Sequence, residues 1–128
     1  MPHLTLEYSA NVELPDDPSG LFQQFHDVLH NTGGISMGNC KSRARIADPF
    51  YVAAGEADGA FIHLDVRFME GRTEAVRQAI GKELLEILHD AFSEARASLD
   101  LQITVKVGEI LRTAYNKYPE GTLSKPPN

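Results

Sequence analysis

Cysteine is almost missing from this chain of 128 residues: Cys40 stands alone, which excludes an internal disulfide and a cysteine metal cluster. Long apolar runs are missing as well, and no basic leader precedes an apolar stretch. The sequence thus shows neither a membrane span nor a signal segment, and a cytoplasmic protein is expected. Positive charge is in deficit, with 12 Lys and Arg against 18 Asp and Glu and a net charge of −6. Nucleic acid and anionic membrane are captured by excess Lys and Arg, so neither is expected as a partner. Any anion this chain binds must meet a local basic cluster. The glycines are scattered and form no phosphate loop. His26 and His30 stand four apart on one helical face, yet no carboxylate or cysteine pattern completes a ligand set around them, so no metal is expected. Cys40 reads as a small buried thiol without a legible histidine partner.

What remains is a repeated pattern in a chain of single-domain length. His3-Leu4-Thr5-Leu6-Glu7 has a faint copy in His63-Leu64-Asp65-Val66-Arg67. Each is followed by apolar residues spaced by three and four, namely Leu21, Phe22, Phe25, Val28 and Leu29, then Val76, Ile80, Leu84, Ile87, Leu88 and Phe92. Such spacing puts one apolar stripe on each helix. Alternating strands close each half, at residues 41–46 and 101–107. The unit is β-α-β, twice, with halves of about 2–54 and 60–107. The fold class is therefore α+β: a four-stranded mixed sheet with both helices on one face, in one domain spanning residues 1–110. Alternation is expected to leave aliphatic side chains on the second sheet face as well, which would favour association into a homo-oligomer. Pro15 to Ser19 are expected to cap the first helix, Gly33-Gly34 to end it, and Gly55 to Gly59 to form the loop between halves. The tail, residues 111–128, has no periodicity and is expected to wrap a neighbour or stay mobile.

Three features could carry chemistry. Pro2 follows Met1 at the head of the first strand; if Met1 is removed, the chain begins with a secondary amine. An α-amino group titrates near ~7.7–8.0 and lower in an apolar or cationic site, so Pro2 could serve as a general base at neutral pH. Equally, a Pro there could simply open a strand where no N–H is needed. Lys41, Arg43 and Arg45 alternate along one strand and so share a face, either as an anion-binding row or as a charged edge that resists aggregation. Arg72, in the turn Glu70-Gly71-Arg72-Thr73, stands at the mouth of the second helix. There it could face an anion together with first-turn amides, or pair with Glu70 or Glu74 at the surface.

The amino-terminal Pro2, the duplicated β-α-β halves and the Glu70-Gly71-Arg72-Thr73 turn resemble the tautomerase superfamily. Within it, Pro2-His3 with Glu7, the Thr32-Gly33 region, Lys41-Ser42-Arg43, Ala60-Phe61-Ile62-His63 and Gly71-Arg72 with Arg77 are similar to the 5-carboxymethyl-2-hydroxymuconate Δ-isomerases, from Pro2 to about Val107. The resemblance implies a homotrimer with active sites near subunit boundaries, and a cofactor-free isomerase in aromatic-acid catabolism. It implies that Pro2 is the base, moving a proton in an unsaturated 2-hydroxy or 2-oxo polycarboxylate, and that Arg72 binds a substrate carboxylate. The family carries arginine where this chain has Lys41, and Lys offers a point charge in place of a bidentate fork. Either Lys41 suffices, or Arg43 takes the role, or the substrate differs. Other tasks within the superfamily are phenylpyruvate tautomerisation and hydration of a halogenated acrylate. A rival of another class is a non-catalytic trimeric module whose basic row docks an acidic partner.

Overall fold

Alternation in the first strand decides which side of the sheet meets the helices. In a computed structural model, which describes residues 1–127, Leu4 and Leu6 of β1 (His3–Ser9) are fully buried while His3 and Thr5 between them are only partly covered. The chain continues through α1 (Ser19–Asn31), β2 (Lys41–Ala47), β3 (Gly59–Met69), α2 (Glu74–Ala91), a short α3 (Ser93–Ser98) and β4 (Asp100–Ile110). Strand order is β2-β1-β3-β4. β1 runs parallel to β2, β3 runs parallel to β4, and the two pairs join antiparallel through β1 and β3. This is the doubled β-α-β unit expected from the repeat.

Ile62, Leu64, Val66 and Phe68 of β3 join Leu4 and Leu6 beneath Phe25 and Leu29 of α1 and Ile80, Leu84 and Leu88 of α2. Removing each such side chain from water contributes about 1.5–3 kcal/mol. α1 begins after Asp17, whose carboxylate accepts from the Ser19 N–H at 3.0 Å. α2 begins after Thr73, whose hydroxyl oxygen accepts from the Val76 N–H at 3.2 Å. Each supplies an acceptor to an otherwise orphaned first-turn amide. None of the helices is long and apolar enough to cross a membrane, among the described residues.

One expectation fails. The second sheet face is polar: it carries His3, Thr5 and Glu7 beside Lys41, Arg43 and Arg45, with His63, Asp65 and Arg67 and then Thr104 and Lys106 on the far strands. Phe61, Met69 and Ile110 are its apolar members, near the ends of their strands. The period of two sends nearly every strand aliphatic to the helix side, so no broad greasy face remains to drive association. Exposed apolar groups are scattered instead: Ile46 and Tyr51 on and beside the edge strand β2, Leu85 on α2, and Leu111, Tyr118 and Leu123 past β4. Beyond β4 the first part of the tail makes a short turn, Arg112–Ala114, and comes back onto its own subunit. There the Tyr115 hydroxyl meets His3 Nε2 at 2.9 Å.

Two glycines near the ends of α1 predict opposite effects of the same substitution. A Cβ on Gly33 would stand 2.7 Å from the Leu29 carbonyl oxygen and 3.0 Å from Ile80 Cδ1, whereas one on Gly20 meets nothing within 4 Å. Gly33→Ala should destabilise the fold by about 1–3 kcal/mol, and Gly20→Ala, inside the helix, should stabilise it by about 0.4–1 kcal/mol. Thermal unfolding of both variants checks this, and an unchanged melting temperature for Gly33→Ala would refute the close approach.

Candidate active site

Parallel pairing of β1 with β2 brings the start of the chain to the basic strand. The Pro2 carbonyl oxygen accepts from the Lys41 N–H at 3.2 Å, and Pro2 itself is buried. It lines a cleft of about 260 Å³. Ile35 and Ser36, just past α1, line it too, with Phe68, Arg72 and Arg112. Three larger grooves, of about 510, 680 and 350 Å³, lie along α2 and β4, at the opposite end of the sheet and between α1 and α2; none holds Pro2, Lys41, Arg43 or Arg72. Volume alone therefore points away from Pro2 and Arg72; what sets the smaller cleft apart is a lining that holds the chain terminus and two guanidiniums and no carboxylate, whereas each larger groove contains carboxylates.

Arg72 reaches that cleft through a chain of local constraints. Gly71 has φ of 122°, a conformation that glycine adopts without penalty, and it turns the backbone out of β3. The Arg72 carbonyl oxygen then accepts from Arg77 Nη1, and Arg77 lies 3.8 Å from Glu109 of β4. Arg72 Nε donates to the Gly33 carbonyl oxygen at 2.7 Å, and the guanidinium carbon sits 5.6 Å from the Phe68 ring centre. The alternative of a surface pair with Glu70 or Glu74 is not what the chain adopts. Among the described residues no carboxylate lies within ion-pair distance of Arg72. The Glu70 carboxylate instead accepts from the Arg112 backbone N–H at 2.7 Å.

The basic strand splits between two surroundings. Lys41 Nζ lies 2.8 Å from Met1 Sδ, beside the chain terminus. Arg43 reaches across the open sheet face, where its Nη2 donates to His3 Nδ1 at 2.9 Å and its Nη1 approaches Thr5 Oγ1 at 3.5 Å. Arg45 stands opposite Glu7 in the register. Pro2 and Arg72 line the cleft; Lys41, beside the chain terminus, is not among the groups lining it, and neither are Arg43 and Arg45. The terminal amine, carried here by Met1, has its pKa lowered from the usual value, first by burial and then by the positive charges of Lys117, Lys41 and Arg72. The tail residues Arg112, Tyr115 and Lys117 went unnoticed in the sequence because they follow no period. Their signal was compositional: two cations close together in a chain of net negative charge.

The helical histidine pair serves structure. His26 Nε2 meets Ser42 Oγ at 2.8 Å and so ties α1 to β2, while His30 Nδ1 donates to the Ile35 carbonyl oxygen at 2.9 Å. Among the described residues no three His, Cys, Asp or Glu side chains gather in a metal-binding group.

The family described as 5-carboxymethyl-2-hydroxymuconate isomerase matches residues 2–119, which carries the likeness past Val107 into the tail. The 5-carboxymethyl-2-hydroxymuconate Delta-isomerase of Escherichia coli is 29% identical over 110 residues, covering 86% of this chain and 87% of that protein. The crystal structure of a 5-carboxymethyl-2-hydroxymuconate isomerase from Deinococcus radiodurans R1 superposes with a TM-score of 0.80 at 30% identity, over 91% of this chain and 87% of that one. A fused 4-OT described as a symmetric trimer shares the fold at a TM-score of 0.73, with 16% identity and 93% of each chain covered.

His3 and His26 generate a pH prediction. Burial is the leading cause of the lowered pKa of each, joined at His3 by Arg43, Lys41 and the terminal amine and opposed at His26 by Asp27. Folding therefore favours neutral imidazole, and the unfolded chain binds these protons first. Their contribution is fully present above the unfolded histidine value of ~6.5 and is lost as pH falls through the folded values. The urea midpoint should drop between pH 7 and pH 5.5, and His3→Gln with His26→Gln should flatten that slope. A midpoint that rises on acidification would contradict the assignment.

Proposed function

Because the chain belongs to the 5-carboxymethyl-2-hydroxymuconate isomerase family, and is an isomerase of tautomerase fold, we propose that the amine of Pro2, freed by removal of Met1, is its catalytic base. The observation that carries this is the buried position of Pro2 in a cleft walled by Arg72, with Lys41 and Lys117 acting on the same terminus. A secondary amine in such surroundings keeps its lone pair near neutral pH, because burial and like charge both disfavour the ammonium form.

The reaction follows from these groups. The substrate is an unsaturated 2-hydroxy polycarboxylate such as 5-carboxymethyl-2-hydroxymuconate. Pro2 N takes the proton of the 2-hydroxyl as the C–O bond becomes a carbonyl, the π electrons shift along the conjugated chain, and the proton is returned to a distal carbon. No atom is gained or lost, and no redox cofactor is required. Arg72 holds a carboxylate and stabilises negative charge on the dienolate as it forms. Lys41 acts beside the base as a point charge, and it is favoured over Arg43 because Arg43 is already engaged with His3 and Thr5. Several cations around one small cleft suit a polycarboxylate better than the single carboxylate of phenylpyruvate or a haloacrylate. The assembly is a homotrimer, a reading supported by the trimeric 4-OT neighbour and by the exposed Ile46 and Tyr51 on and beside the edge strand. Residues 1–110 form its domain, and the tail belongs to its site.

Intact mass gives the first check: the purified protein should lack Met1, because a retained Met1 leaves Pro2 N acylated and without basicity. Pro2→Ala, which leaves a primary amine of higher pKa, should lower kcat for 5-carboxymethyl-2-hydroxymuconate at pH 7 by about 10²-fold or more while the melting temperature holds. Unchanged turnover would remove Pro2 from the mechanism. Arg72→Ala should raise KM about 10- to 100-fold, the equivalent of a lost charge-assisted hydrogen bond; wild-type kinetics would return Arg72 to a structural role.

A further inference from the structure

The tail brings to the cleft a second guanidinium that the proposed chemistry leaves unused. Arg112 stands two residues beyond β4 and lines the cleft together with Arg72 and Pro2. Its backbone is held firmly. The Glu70 N–H donates to the Ile110 carbonyl oxygen at 3.0 Å, the Glu70 carboxylate accepts from the Arg112 N–H at 2.7 Å, and Arg112 Nη2 donates to the Glu70 carbonyl oxygen at 3.2 Å. The carboxylate best placed to neutralise Arg112 is thereby engaged with a backbone amide. Among the described residues Arg112, like Arg72, has no ion-pair partner. The two guanidiniums flank one turn, since a Cβ on Gly71 would come 4.0 Å from Arg112 Nη2. Three residues on, Tyr115 fixes the tail to β1 through His3, whose other ring nitrogen accepts from Arg43.

Two guanidiniums without an ion-pair partner, lining one small cleft, repel each other unless an anion lies between them, and each offers a fork that matches a carboxylate. We propose that Arg112 is a specificity-determining residue that binds a second carboxylate of the substrate, so that the tail segment 112–117 selects polycarboxylates over monocarboxylates. This rests on the cleft being the site of a carboxylate-bearing substrate and adds the residue that counts the carboxylates. Tyr115 is a positioning residue, acting by holding the segment against His3.

The experiment compares Arg112→Ala, Arg112→Lys and the surface control Lys82→Ala on 5-carboxymethyl-2-hydroxymuconate and on the enol of phenylpyruvate. Arg112→Ala should raise KM for the first about 10- to 100-fold and change that for the second less than about two-fold. Arg112→Lys should recover part of the loss, and Lys82→Ala should match wild type. Equal effects on both acids, or none on either, would overturn the proposal. Calorimetry with tricarballylate and propionate separates this from the isomerase chemistry. If wild type turned over neither enol, the catalytic reading would fall, while weaker tricarballylate binding by Arg112→Ala alone would still uphold Arg112, and equal binding would sink it. Should Arg112→Ala not fold, the Arg112 Nε–H resonance of the unaltered protein decides: a shift on adding tricarballylate supports the contact, and an unmoved resonance refutes it.

Discussion

A terminal amine partly buried near Lys117, Lys41 and Arg72 holds its proton less tightly than one in water, because lost solvation and then each neighbouring cation raise the cost of charging it. Keeping that group of cations intact is a constraint on the whole molecule. The chain has six more acidic than basic side chains counted over Asp, Glu, Lys and Arg, so carboxylates are plentiful, and any that reached the cleft would restore the amine's affinity for protons. Of the two nearest Arg72 in sequence, Glu70 accepts from the Arg112 amide and Glu74 from the Gln78 side chain, and Glu109 stands beside Arg77. Negative charge is therefore used to build the walls and kept off the lining.

The scaffold serves this arrangement through backbone contacts more than through side-chain pairs. Lys41 is placed because its N–H bonds the Pro2 carbonyl at the first rung of the parallel β1–β2 pair. Arg72 is placed because Gly71 can turn and Gly33 can approach closely enough to offer its carbonyl. Both placements depend on the sheet and on the packing of α1 against α2, with Ile80 reaching the Gly33 backbone. Core packing is thus linked to the chemistry: a shift of the end of α1 would move the acceptor that orients Arg72.

Much of the fold was legible because periodicity is a local property of sequence. The spacing of Leu21, Phe25 and Leu29, and of Ile80, Leu84 and Leu88, identifies helices whose buried faces are those residues. The short strands announce themselves by alternation, and the repeat of His-Leu supplies the doubling. Two things were not legible. Which strand residues face away from the helices depends on register across four strands, and the expectation of aliphatic groups there failed once His3, Thr5 and Glu7 fell in line with Lys41, Arg43 and Arg45. The tail was opaque for a different reason. Arg112 and Tyr115 are held by long-range hydrogen bonds to Glu70 and His3, and such contacts leave no period in the sequence.

Duplication leaves the halves unequal at the place where chemistry is expected. His3 and His63 occupy matching positions on the same sheet face, yet His63 is bonded to Thr104 within its own half while His3 joins Arg43 to the tail. The residue before His63 is Ile62, buried inside the chain, whereas the residue before His3 is Pro2, one residue from the chain's start. Only an end strand can present an amine, and only the second half has the Gly71-Arg72 turn. Pro2 of the first half and Arg72 of the second meet because β1 and β3 are central neighbours, running antiparallel, so that the start of one lies beside the finish of the other. A tail leaving β4 parallel to β3 emerges at that same end, which is why Arg112 can join Arg72 without any rearrangement of the duplicated core.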